Sequence, residues 1–313
     1  MKKNQATIET ISVLTPSFNQ AHFLDECLLS VKNQTVPPIE HFVFDPGSTD
    51  NSRKIAKSYP HVSMITEKDD GQSDAVNKGF KMAKGDIVAW INSDDCFEHS
   101  RVFETVLSRF NQHDRPDIVY GKGIYIDENG KKLRDVYVNN DSDSLSWRLQ
   151  QECGILQPAL FMRREVINRV GLLTLHLQYC MDYEYWIRCV KKKIRFVYFD
   201  ENLAGFRFYK FNKTYGSRGK SYGEVCDMLL EHFGYVNSRW LRAYAEFNVE
   251  KIDGVLKTRY NTKINNPDNV EKELCRLLHA YNSNPDTLNV LRTNSDQPGY
   301  RDTFIDMAER NIF

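Results

Sequence analysis

Lys84-Gly85-Asp86-Ile87-Val88-Ala89-Trp90-Ile91-Asn92-Ser93-Asp94-Asp95 reads as a turn, an apolar strand and two adjacent carboxylates where that strand ends. The run 87–91 is rich in β-branched and aromatic residues and carries no charge, the pattern of a strand buried on both faces. Open α/β sheets bind ligands at the carboxyl ends of their strands, so the two acids arrive where a ligand belongs. Held side by side, they repel unless a cation sits between them and a second anion. Hard oxygen ligands of this kind suit magnesium or manganese, with a phosphate completing the shell. Alone, the same residues read better as an Asp-rich helix cap. The rest of the chain decides.

Upstream, a strand–helix unit recurs three times. Residues 11–15 form a short apolar strand closed by Pro16, and Asn19 is placed to cap a helix with Phe23, Leu24, Cys27, Leu28 and Val31 on one face. A second strand over 41–44 ends in Asp45-Pro46-Gly47-Ser48-Thr49-Asp50-Asn51-Ser52, a turn dense in cap residues that launches another helix. A third, over 62–66, runs into Glu67-Lys68-Asp69-Asp70-Gly71-Gln72-Ser73-Asp74 and a helix burying Ala75, Val76, Gly79, Phe80 and Ala83. Four such units predict a parallel sheet with right-handed crossovers. Every polar cluster then falls on one rim, where a nucleotide should lie.

Downstream, a strand over 117–127 and a hairpin turn at 128–131 predict antiparallel members away from that rim. Further strands are expected over 157–162 and 194–199, with a helix at 163–170 stopped by Gly171. Asp182 opens a helix in which Tyr183, Trp186, Ile187 and Val190 share a face. Spacing favours an N-cap there, worth about 1 kcal/mol, over a carboxylate at the rim able to take a proton. Between Glu201 and Glu224 there is no acid, and Arg207, Phe208, Tyr209, Lys210, Phe211, Lys213, Tyr215, Arg218, Lys220 and Tyr222 mix charge with aromatics. That composition suggests a mobile loop closing on phosphate or sugar. From Ser221 onward the pattern is helical, with a polar break over 261–268.

The 313 residues suffice for one large domain plus an appendage. With 42 basic and 42 acidic residues, no global field points to nucleic acid. Seven scattered cysteines without a C-x-x-C pair argue against a zinc site or disulfide framework and for a reducing compartment. The first ten residues are too polar for a signal peptide, and no window is apolar for long enough to span a bilayer. A cytoplasmic protein is expected, with the inner face of the cell membrane as a place of work.

At this point residues 11–215 resemble the family 2 glycosyltransferases, inverting enzymes with a GT-A fold and a nucleotide-sugar donor. The resemblance is carried by five stretches in order. These are Ser12-Val13-Leu14-Thr15-Pro16-Ser17-Phe18-Asn19, Asp45-Pro46-Gly47-Ser48-Thr49-Asp50, Asp74-Ala75-Val76-Asn77-Lys78-Gly79, Gly85-Asp86 through Asn92-Ser93-Asp94-Asp95, and Met181-Asp182-Tyr183-Glu184-Tyr185-Trp186. The wording of 67–95 looks most like the branch that builds bacterial surface polysaccharides.

The resemblance implies a mostly parallel α/β sheet flanked by helices over 1–215, with a nucleotide half to about 98 and an acceptor half beyond it. A helical extension follows over 216–313. It implies Mn2+ or Mg2+, a nucleotide-sugar donor of which UDP-sugars are the commonest, and a glycan or lipid-linked acceptor. Thr15, Ser17 and Asn19 should line the nucleotide pocket, Asp45 should meet the base, and Asp70, Gln72 and Asp74 should flank base and ribose. Ser93 and Asp94 stand in the D-x-D motif, Asp94 holding the metal and Asp95 supporting it or touching the donor sugar. Asp182 matches the general base, and Arg207 lies in the loop that closes on the diphosphate. Three departures stand out. Asn92 replaces the first Asp of D-x-D, Pro46 stiffens the turn after Asp45, and Tyr209 stands where many relatives have a histidine ligand.

Two other readings are weighed against this. A nucleotidyltransferase also sets paired acids on such a rim, but needs a glycine-rich basic loop where this chain has Pro16-Ser17-Phe18-Asn19. A sugar-nucleotide binder with decayed catalysis would explain Asn92 and Tyr209, yet Asp94, Asp95 and Asp182 are intact. One short basic stretch makes a nucleic-acid partner the poorest fit. The helical tail is compatible with a homodimer or with peripheral membrane contact.

Overall fold

The computed structural model describes residues 10–210, 212–250 and 264–312. The apolar run forms β4 (Ile87–Trp90), all four residues buried. It lies parallel to β1 (Ile11–Pro16), with Ile11 opposite Ile87 and Leu14 opposite Trp90, and antiparallel to β8 (Leu160–Arg163) on its other side. A strand flanked by strands and covered on both faces has no solvent side, so its sequence shows no alternation. Beyond β1 lie β2 (Glu40–Phe44) and β3 (Val62–Ile65), both parallel. The order β3-β2-β1-β4 reverses its winding between β1 and β4, which makes their carboxyl ends the switch point of the sheet.

Past β4 the sheet continues through β8, β6 (Ile118–Ile126), β9 (Phe196–Arg207) and β5 (Cys96–Phe97), with β7 (Lys132–Asp135) paired to β6. The parallel half ends where β8 runs antiparallel to both β4 and β6. One strand is longer than its pattern suggested: β9 extends to Arg207. Its register against β6 shifts on either side of Lys122. A Cβ on Gly121 would meet the Glu201 carbonyl at 2.7 Å, and one on Gly123 would collide with the Ala204 carbonyl. Only glycine lets the backbones approach so closely while the strand shifts register.

In chain order the helices are α1 (Leu24–Lys32), α2 (Ser52–Lys57), α3 (Gln72–Met82), α4 (Val102–Phe110), α5 (Leu145–Arg148), α6 (Arg164–Val170) and α7 (Met181–Lys191). The face read from spacing in α1 is the buried one, Leu24, Cys27, Leu28 and Val31, and α4 buries Val102, Phe103, Val106, Leu107 and Phe110. The main core joins Val13, Ala89, Ile91, Phe97, Phe103 and Phe161, all buried.

Contacts divide the chain into two units, the first spanning Met1–Asp143 with Gly154–Tyr209, the second Ser144–Cys153 with Lys210–Phe313. The second unit is helical, comprising α5, α8 (Lys213–Gly216), α9 (Arg218–Phe233), α10 (Ser238–Glu250), α11 (Pro267–Asn282), α12 (Pro285–Thr293) and α13 (Pro298–Glu309). Within it the Asn282 amide brackets Val236, accepting from its N–H at 2.9 Å and donating to its carbonyl at 2.8 Å. The loop composition of 207–222 resolves into a strand end and helices, with Phe211 outside the described residues. Of the expected polar break, 261–263 are also outside them, as is the segment 1–9. Among the described residues no helix is long and apolar enough to cross a membrane.

Candidate active site

Four loops leave the carboxyl ends of β1 to β4. The first begins with Thr15, fully buried, its Oγ1 2.9 Å from Nε2 of His41. Ser17 continues the parallel ladder, its N–H donating to the Phe44 carbonyl at 2.8 Å, while its buried Oγ has no partner. Phe18 is 58% exposed. Asn19 is not a helix cap. Its φ of 53° is left-handed, which Asn tolerates, and α1 starts five residues later. The Asn19 Oδ1 accepts instead from the N–H of Thr49 at 2.8 Å, and its own N–H donates to Ser48 Oγ at 2.8 Å.

The second loop turns on Asp45. Its Oδ1 accepts from Gly47 and Ser48 N–H groups at 3.0 and 2.7 Å, and its buried Oδ2 has no partner. Ser17 and Asp45 thus end neighbouring strands with one orphaned polar atom each. Buried polar atoms are nearly always paired, so both are candidates to meet a ligand.

In the third loop Gly71 adopts a φ of 108°, open to glycine alone. Asp74 folds back onto its own helix start, accepting from the Asp70 N–H at 3.2 Å and lying 3.5 Å from Lys78 Nζ. Asp70 is exposed. Gln72 donates its amide to Asn92 at 2.8 Å and so ties this loop to the fourth.

The fourth loop carries the acids. Asp95 is 1% exposed and accepts from the Arg207 main-chain N–H at 2.9 Å and from Asn92 Nδ2 at 3.3 Å. Burial, then the neighbouring Asp94 charge, holds its carboxyl well above the usual carboxylate range. Burial raises Asp94 too, against the Tyr209 hydroxyl and the Arg207 charge, which pull the other way. Burial and then Asp94 push the Tyr209 phenol up to about 12, so it stays neutral and donates to Asp94 Oδ2 at 3.4 Å. Among the described residues no group of three or more His, Cys, Asp or Glu side chains could hold a metal. What is present is one half-buried carboxylate with a second behind it. That set fits Mg2+ or Mn2+ held by a single acid and completed by phosphate oxygens and water.

Arg207 is placed differently from its expected loop. It ends β9, fully buried, with Nε donating to the Asp94 carbonyl at 2.8 Å and one terminal nitrogen to the Asp127 carbonyl at 2.7 Å. The other terminal nitrogen pairs with Glu26, and the guanidinium lies 4.8 Å from the Phe23 ring centre. An arginine committed in three directions holds the acidic loop from within.

Asp182 sits in the first turn of α7, where Cys180 takes the cap position, and its Oδ1 accepts from the Tyr183 N–H at 2.8 Å. The segment before α7 is anchored on α3. Asn77 exchanges two bonds with Leu173 at 2.7 and 2.9 Å, and Ser73 donates to the Leu177 carbonyl at 3.3 Å. These bonds connect the start of the Asp182 helix to the third rim loop. Sequence spacing missed Glu26, His41 and Gln157, which touch site residues from distant segments and belong to no local motif.

The glycosyl transferase family 2 model matches residues 12–171, just over half the chain, and the chain belongs to that family. It is similar to an uncharacterized glycosyltransferase of Rickettsia conorii, 28% identical over 239 residues, covering 71% of this chain and 38% of that protein. Among solved structures it resembles Staphylococcus aureus TarS 1–349 in complex with UDP-GlcNAc, with a TM-score of 0.60, 16% identity, and 96% and 92% of the two chains covered. A mannosyltransferase of Pyrobaculum calidifontis in complex with GDP-Man and Mn2+ follows, with a TM-score of 0.53, 16% identity, and 96% and 85% covered. These likenesses establish the GT-A fold.

Proposed function

We propose that this chain moves a sugar from a nucleotide-sugar donor to a glycan or lipid-linked acceptor, with inversion at the anomeric carbon and a requirement for Mn2+ or Mg2+. Assembly of a bacterial surface polysaccharide at the inner face of the cell membrane is the setting that suits such an acceptor. The observation that carries the reading is Asp94, a half-buried carboxylate at the switch point with Asp95 immediately behind it. A UDP-sugar is the donor proposed, by analogy with the UDP-GlcNAc complex of TarS.

In this reading Ser17 Oγ and Asp45 Oδ2 receive the nucleoside, the two orphaned atoms gaining their partners from the ligand. Asn19, Asp70, Gln72, Asp74 and Ser93 shape the pocket around it. Bound at Asp94, the cation supplies neutralisation of charge developing on the diphosphate. The acceptor oxygen attacks the anomeric carbon from the face opposite the departing phosphate. The carbon–oxygen bond to phosphate breaks, its electron pair leaving with the nucleoside diphosphate. Asp182 takes the acceptor's proton as the new bond forms. One carboxylate and one displacement give inversion.

The test is donor hydrolysis across a panel of nucleotide sugars with Mn2+, comparing the native chain with Asp94→Ala. Activity on one donor that falls by about 10² or more in the variant supports the reading. Binding of a nucleotide without turnover in the presence of acceptor favours the binder, and no binding of any nucleotide sinks both.

A further inference from the structure

Asn92 occupies the first position of the acidic motif, where an acid would be read as a metal ligand. Its surroundings point elsewhere. The Trp90 indole N–H can only donate, and it lies 2.9 Å from one terminal atom of the Asn92 side chain, which is therefore Oδ1. Gln72 Nε2 donates to the same oxygen at 2.8 Å. The amide nitrogen is left facing two acceptors, Asp95 Oδ2 at 3.3 Å and Gln157 Oε1 at 3.2 Å. Gln157 is itself oriented, because its Nε2 donates to the Trp90 carbonyl at 2.6 Å. An amide has two acceptor lone pairs and two donor hydrogens, and here all four are spent within the protein.

We propose that Asn92 is a positioning residue and not a metal ligand: a neutral four-way junction that holds Asp95, Gln72 and the Gln157 turn in register behind Asp94. The proposal rests on the transferase reading for its consequence in catalysis, but not for its geometry. An acid at 92 could still accept from Trp90 and Gln72. It would then meet Asp95 as a second buried acid, where the two must either repel or share a proton, and would leave Gln157 Oε1 without its donor. The amide is the group that serves two donors and a carboxylate at once. The cation therefore has Asp94 as its carboxylate from this motif, and Asp95 is held in place by Asn92 and the Arg207 main chain.

The test uses the full chain and three variants: Asn92→Asp, Asp95→Asn and the two combined. Asn92→Asp should lower the melting temperature by about 4 °C. The combined exchange should recover at least half of that loss, since the amide at 95 now donates to the carboxylate at 92. Additive shifts, with no recovery, would mean that 92 and 95 do not interact and would overturn the proposal. This cycle needs neither metal nor donor, so its result stands apart from the transferase reading, which is judged by hydrolysis in the native chain against Asp94→Ala. In the second measurement Mn2+ is titrated alone and with UDP. Asn92→Asp should bind Mn2+ no more tightly than the native chain, and should lose at least tenfold in hydrolysis kcat with donor KM within threefold. Tighter Mn2+ binding, abolished by adding Asp94→Ala, would make 92 a ligand position. A rise in KM with unchanged kcat would make it a donor contact. Either would overturn the proposal.

Discussion

The main-chain N–H of Arg207 donates to Asp95 Oδ1 at 2.9 Å, joining positions 112 residues apart. The same residue's guanidinium holds the Asp94 carbonyl, the Asp127 carbonyl and the Glu26 carboxylate. The end of β9, the β6–β7 turn, α1 and the acidic loop thus meet on one side chain. A site whose acids must hold a fixed spacing gains rigidity from such a pin, and four consequences of the site's construction can be measured.

Arg207→Ala should cost about 3 kcal/mol of stability, because two carbonyls and a carboxylate lose their donor. Arg207→Lys should recover less than half, since one ammonium cannot span three directions. Urea denaturation measures both. A loss below about 1 kcal/mol with a selective loss of donor affinity would return Arg207 to the diphosphate.

Ser17→Ala removes a buried hydroxyl that has no partner in the protein. The ligand-free variant should be as stable as the native chain or more so, by about 1 kcal/mol. Its affinity for the nucleotide should fall several-fold. Denaturation and calorimetric nucleotide titration, run on one preparation, separate the effects; unchanged affinity would take Ser17 out of the pocket.

His41 sets an acid limit. Burial, then the neighbouring His61, pushes its imidazole down to about 3. In the unfolded chain it titrates near 6.5. Between those values the unfolded state binds more protons, so stability is complete above about pH 6.5 and declines as pH falls toward 3. The slope contributed is at most about 1.4 kcal/mol per pH unit. Urea midpoints at pH 7, 6 and 5 should fall in that order, and His41→Gln should flatten the trend. Parallel trends would assign the loss to carboxylates.

Asp182→Asn should reduce transfer by about 10² to 10⁴ while leaving the donor dissociation constant within a few-fold. Its carboxylate already accepts the Tyr183 N–H, a bond an amide oxygen can replace, so the fold should survive. Steady-state transfer and equilibrium donor binding report the two quantities. Lost donor affinity would move Asp182 from proton acceptor to binding group.

The sequence alone determined the parallel half of the sheet and the rim that carries the candidate site residues. Apolar runs of four or five residues, each followed by cap and turn residues and an amphipathic helix, are local patterns, and local patterns survive folding. Ile87 to Asp95 could be read in isolation because burial of a central strand and delivery of acids at its end follow from adjacent residues.

Tertiary structure decided what each polar side chain at the rim does. Asn19 reads as a helix cap but ties one loop to another through Thr49, 30 residues away. Gln72, which the resemblance sets beside base and ribose, has its amide on Asn92, 20 residues away. Arg207 sits in a basic, aromatic stretch that looks like a loop, yet the register shifts beside Gly121 and Gly123 extend β9 to reach it. Residues 144–153 join the helical unit although nothing local marks them. A hydrogen bond needs partners within about 3 Å, and the chain brings those partners from segments up to 181 residues apart. Spacing along the sequence records which face a residue takes; only the closed fold sets which atom it meets.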